Sequence, residues 1–134
     1  MKNVEKIIHQ DETLAIIIRK DFGEEGANFL SEPNDPFQLG VIKYPEGHEI
    51  RPHLHNKIEK SNDLNQEFVY VISGELKIDF YFEKELVQSV ILNPGDSFLQ
   101  LKGGHGFKMC KDTKIIELKQ GPFHGTEVEK TYLD

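Results

Sequence analysis

Three histidines and one acid offer the most specific chemistry in this chain. His53 and His55 stand two positions apart. On an extended strand, alternate side chains point to one face, so the two imidazoles project together while Leu54 turns away. Glu67 opens the most apolar stretch of the sequence, in phase with Val69 and Val71. A carboxylate facing the surroundings of those valines is costly to bury unless something compensates its charge. His105 follows Gly103-Gly104 and is in phase with Phe107 and Met109. Three imidazoles and a carboxylate suit one divalent transition metal (Fe, Mn, Zn, Ni or Co), and not calcium, which takes six or more oxygens. Four protein ligands leave open positions on a five- or six-coordinate ion, where water or substrate can bind. An exposed imidazole pair on a strand face is the bland alternative for His53 and His55. His9 and His48 read as ordinary satisfied or exposed residues, as does His124 unless it serves as a base.

Other polar residues could surround such an ion. Glu117 and Lys119 lie two apart on one strand, with Glu117 or His124 available to move a proton. An exposed Glu117–Lys119 ion pair is the alternative. Arg51 shares the expected strand face of His53 and His55 and could hold an anionic group by bidentate hydrogen bonds. Tyr44, Gln38 and Lys119 complete the candidate substrate contacts. Cys110 reads as a small buried hydrophobe.

The elements that must position these residues are strands. No segment keeps apolar residues at helical spacing for three turns. Apolar segments are short, rich in Val, Ile, Phe and Tyr, and bounded by Gly, Pro, Asn or Asp, which is the pattern of an all-β domain. Strands are expected over residues 14–19, 38–44, 49–55, 67–73, 76–82, 86–92, 97–101, 105–110 and 114–119. Residues 23–29 read as a loop with a short helical turn, and 56–65 as a polar loop. A closed barrel or jelly roll accommodates so many short strands.

The segment Gly47-His48-Glu49-Ile50-Arg51-Pro52-His53-Leu54-His55 resembles the first half of a cupin motif, a glycine, five residues and His-x-His. Glu67, six residues and Gly74 resemble its second half, through FVYVISGE at 68–75. Pro94-Gly95-Asp96 with Gly103-Gly104-His105 resembles the second cupin motif. Leu101 stands in the place of the usual proline, and the gap from Gly103 to His105 is one residue shorter. The resemblance implies a cupin-type double-stranded β-helix, or jelly-roll barrel, with His53, His55, Glu67 and His105 as metal ligands. Eleven residues separate His55 from Glu67, where three or four are usual. Glu59 has the literal short spacing, but no glycine lies seven positions beyond it, and Glu67 is preferred. GGHGF, IIELKQGPFHG and EKTYL resemble a subgroup of small bacterial cupins associated with surface-glycan and sugar biosynthesis. That implies a sugar or nucleotide-sugar ligand, met either by isomerase, epimerase or dioxygenase chemistry or by binding without turnover.

Length and composition bound the rest. The 134 residues suit a single domain, with a barrel core over roughly 38–120, N-terminal strands in 1–37 and a tail at 121–134. A formal charge of -7 argues against nucleic acid or anionic membrane as partner. One cysteine precludes an intrachain disulfide. With no signal-peptide core and no apolar run of membrane length, the expected location is the cytoplasm. Small cupins commonly pair, so a homodimer is expected, with residues 14–18 as a candidate pairing element.

Overall fold

The computed structural model describes residues 1–133; the last residue of the expected tail, Asp134, lies outside the described residues. Ten strands and one short helix follow in chain order: β1 (Val4–His9), β2 (Glu12–Ile18), β3 (Gly26–Phe29), β4 (Gly40–Lys43), β5 (Glu67–Ser73), β6 (Leu76–Phe82), β7 (Glu85–Leu92), β8 (Ser97–Gln100), β9 (Gly104–Met109), β10 (Lys114–Lys119) and α1 (Thr126–Glu129). The chain divides into two compact units. One comprises Met1–Phe22 and the described residues from Asn65 onward, and the other is Gly23–Leu64.

The first unit is an antiparallel arrangement of two sheets, ordered β1-β2-β8-β5-β10 and β7-β6-β9. In β6, Leu76, Ile78 and Phe80 are buried and alternate with more exposed Lys77, Asp79 and Tyr81, the period-two pattern of a strand with one covered face. The core draws Ile7, Leu14, Ala15, Ile17, Val69, Val71 and Phe98 from the larger sheet and Leu76, Ile78, Phe80, Val90 and Leu92 from the smaller. Phe80 meets Phe98 edge-on across it, with ring centroids 5.5 Å apart, a favoured aromatic geometry. Two sheets sharing one interior layer is the arrangement of a β-sandwich.

A partly buried ion pair and two backbone hydrogen bonds tie the turn after β7 to the end of β2. The buried Asp96 carboxylate accepts from the Lys20 amide at 2.8 Å, the Asn93 amide at 2.9 Å and Arg19 Nη1 at 3.2 Å. Residues 14–18 are not an available pairing element, because β2 lies between β1 and β8 in the sheet and Leu14–Ile18 are buried.

β1 escapes the sequence pattern because it is an edge strand with one fully buried residue, Ile7, among charges, as edge strands commonly are. Gln10 and Asp11 both take left-handed φ (50° and 64°), closing the β1–β2 hairpin without the Asn-Gly signal such turns favour.

The second unit holds the β3–β4 hairpin, in register from Gly26↔Lys43 to Phe29↔Gly40. Residues 26–29 are therefore a strand, where a loop with a helical turn was expected. The strand expected over 49–55 is absent. Residues 44–66 carry no strand or helix. Pro45 and Pro52 remove backbone donors, and the apolar half of the alternation covers nothing, with Ile50 59% and Leu54 91% exposed. An alternating pattern becomes a strand only when one of its faces is buried and its backbone paired. Cys110 is exposed, against the expectation of a buried one, because it lies just past the end of β9. Among the described residues, no helix is long and apolar enough to cross a membrane.

Candidate functional site

The first unit assembles a polar cluster on the inner face of its larger sheet. Register aligns Ala15, Gln100, Glu67 and Lys119 in one row across β2, β8, β5 and β10. Two residues along, the next row on the same face is Ile17, Phe98, Val69 and Glu117. Glu67 thus faces inward with Val69, as its phase predicts. From the other sheet, β9 brings His105, paired with Phe80 of β6. Its ring stacks on Phe107 at 4.6 Å and meets the edge of Phe98 at 6.0 Å.

His105 Nε2 lies 3.7 Å from Glu67 Oε2, with the two side chains 21% and 16% exposed. That separation exceeds a hydrogen bond. Glu67 Oε1 is buried without a hydrogen-bond partner. Burial pushes His105 down to about 4, and the ammonium groups of Lys130 and Lys119 push the same way. Its imidazole is therefore neutral at pH 7, the form that binds metal. On the opposite side of the ring, Gln100 Oε1 lies 3.1 Å from His105 Nδ1. The Gln100 amide nitrogen donates to Lys102 O at 2.6 Å and lies 3.5 Å from Leu14 O.

Gly103 shapes the approach to His105. Its φ is +80°, and an added Cβ would stand 2.5 Å from Tyr81 O. Only glycine fits there without strain.

The remaining candidates fall into separate places. Glu117 and Lys119 form an ion pair at 3.7 Å, with both side chains partly exposed; they share the inner face of β10 with the Glu67 row. His124 is exposed in the segment between β10 and α1. In the second unit, the rings of His53 and His55 are 5.1 Å apart at 61°, so the pair stays adjacent although no strand carries it. The shared strand face predicted for Arg51 with these histidines therefore does not exist. His53 Nδ1 lies 2.7 Å from Arg51 O; a carbonyl can only accept, so Nδ1 carries the hydrogen of this bond. Tyr44 stacks on His48 at 3.7 Å. Gln38 gives its amide nitrogen to Glu32 O and Asp35 O, both at 2.8 Å, bracing the loop before β4. Glu59 is exposed. Among the described residues, no group of three or more His, Cys, Asp or Glu side chains is gathered as a metal site.

Sequence reasoning missed Gln100 and Lys130. Gln100 carried a legible signal, since it is a polar residue in phase with Phe98 on an otherwise apolar strand, the same logic that singled out Glu67. Lys130 had no such signal, because it lies beyond the strands. No protein-family model, curated protein or solved structure matches the chain.

Proposed function

We propose that this protein is a cupin-type metal-binding protein that binds or acts on a small polar metabolite, with a sugar or nucleotide-sugar as the favoured class. The observation that carries the reading is the Glu67–His105 pair. A largely buried carboxylate with an orphaned oxygen faces a neutral imidazole at 3.7 Å. Neither of the two facing groups carries a positive charge, and a divalent cation would supply one between them. Glu67 and His105 would hold the ion within the first unit; the ligand roles of His53 and His55 rest on the cupin resemblance alone. A bound transition metal supplies Lewis-acid polarisation of a carbonyl or hydroxyl. Around it, Lys119 offers a cation for an anionic or hydroxyl group of the ligand, and Glu117, two residues before it, offers a carboxylate to take up a proton. The sugar class rests on the resemblance of GGHGF and IIELKQGPFHG to cupins of sugar biosynthesis.

The test is metal content. Purified protein reconstituted with Fe(II), Mn(II), Co(II), Ni(II) or Zn(II) retains near-stoichiometric metal after desalting. Glu67→Gln, His105→Ala and His53→Ala lose it, and His124→Ala keeps it. Failure of every metal to bind, or full retention in His105→Ala, refutes the reading. A metal-loaded protein screened by ligand-observed NMR against sugars and nucleotide-sugars then tests the ligand class.

A further inference from the structure

We infer that Gln100 is a positioning residue that locks His105 in its Nδ1–H tautomer and so turns the bare Nε2 towards Glu67. The Gln100 amide nitrogen is 2.6 Å from Lys102 O and 3.5 Å from Leu14 O. Two backbone carbonyls accept only, so the amide cannot be turned over, and Oε1 must be the atom that faces His105. That oxygen also accepts only. At 3.1 Å it needs a hydrogen on His105 Nδ1. A neutral imidazole with its hydrogen on Nδ1 has its lone pair on Nε2, and Nε2 is the atom 3.7 Å from Glu67 Oε2.

The surroundings hold this amide rigidly. Gln100 is 3% exposed and sits at the end of β8, in register with both Ala15 and Glu67. The backbone that follows is pinned as well, with Leu101 N and Lys102 N both donating to Leu14 O, at 2.8 and 3.2 Å. The carbonyl of Lys102, which orients the amide, is thereby fixed. Metal-binding histidines generally owe their orientation to such a partner on the far ring nitrogen. The use of Nε2 for a metal rests on the function proposed above, but the tautomer does not.

The test uses the full chain with 15N-labelled histidine, stripped of metal by a chelator, at neutral pH. Long-range 1H–15N spectra report which ring nitrogen carries hydrogen, and His105 is assigned by the signal lost in His105→Asn. The expected result is Nδ1 protonated and Nε2 bare. In Gln100→Met, of similar volume but without the amide, the ring is expected to change to a mixture of tautomers. In the same variant, Co(II) affinity is expected to fall by about 10–100-fold. A wild-type ring protonated on Nε2, or on both nitrogens, overturns the inference, and so does an unchanged tautomer in Gln100→Met. The wild-type spectrum decides even if the variant does not fold. An Nδ1–H ring in a protein that binds no metal upholds the positioning role and sinks only the metal reading.

Discussion

Acidification should destabilise the metal-free protein through His105, by an amount the site itself predicts. The ring is held neutral down to about pH 4 by burial, reinforced by Lys130 and Lys119, whereas a free histidine titrates near 6.5. Above pH 6.5 both folded and unfolded chains hold a neutral ring, and His105 makes no pH-dependent contribution. Between 6.5 and about 4 the unfolded chain takes up a proton that the folded chain refuses, so stability falls as pH falls. Each pH unit removes about 1.4 kcal/mol, or about 3 kcal/mol over the window. The assay is urea unfolding of wild type and His105→Gln across this range after chelation. Carboxylates that titrate alike in both proteins cancel in the difference. The stability advantage of wild type over the variant should shrink by about 3 kcal/mol from pH 7 to pH 4. A flat difference would show that the ring is not desolvated. A difference that grows towards acid would show that Glu67, 3.7 Å away, captures an imidazolium and that the pair is an ordinary salt bridge, which would refute the reasoning for a metal.

Three further outcomes follow from the same structure. Phe98→Ala removes a fully buried ring that touches Phe80, Phe107 and His105, and should cost about 3–5 kcal/mol in denaturant unfolding; a cost below about 1 kcal/mol would mean that the two sheets do not pack through it. Asp96→Ala strips three donors of their acceptor and should cost about 3 kcal/mol by the same measurement, with the loss insensitive to chelation. Gly103→Ala, at φ +80° with Tyr81 O 2.5 Å from the new Cβ, should lower the thermal midpoint more than Gly47→Ala, where φ is +86° and nothing lies within 4 Å; equal effects would show that the contact is relieved by local movement.

Much of the strand pattern was legible before folding was considered. β5, β6 and β10 occupy the residues expected of them, because each is a short segment rich in β-branched and aromatic residues bounded by turn residues, and β6 alternates as well. The two-residue phase of a strand also marked Glu67 as an acid aimed with Val69 and Val71, which are buried. Local pattern failed where burial was the missing ingredient. Residues 49–55 alternate but have no covered face, so His53 and His55 lie on an exposed segment and their adjacency owes nothing to a strand. β1 carries almost no apolar face and still forms, because β2 offers it a hydrogen-bonded edge. The Glu67–His105 encounter was out of reach of any local reading. It joins strands of two different sheets, and depends on the register of β5 with β8, of β9 with β6, and on how Phe80 and Phe98 set one sheet over the other. The types of residue that could serve as ligands, and the strands that would carry Glu67 and His105, were written in the chain order. Their distance, the neutrality of the ring and the amide that orients it arise from long-range packing, since burial and register are properties of the folded chain and not of any segment of it.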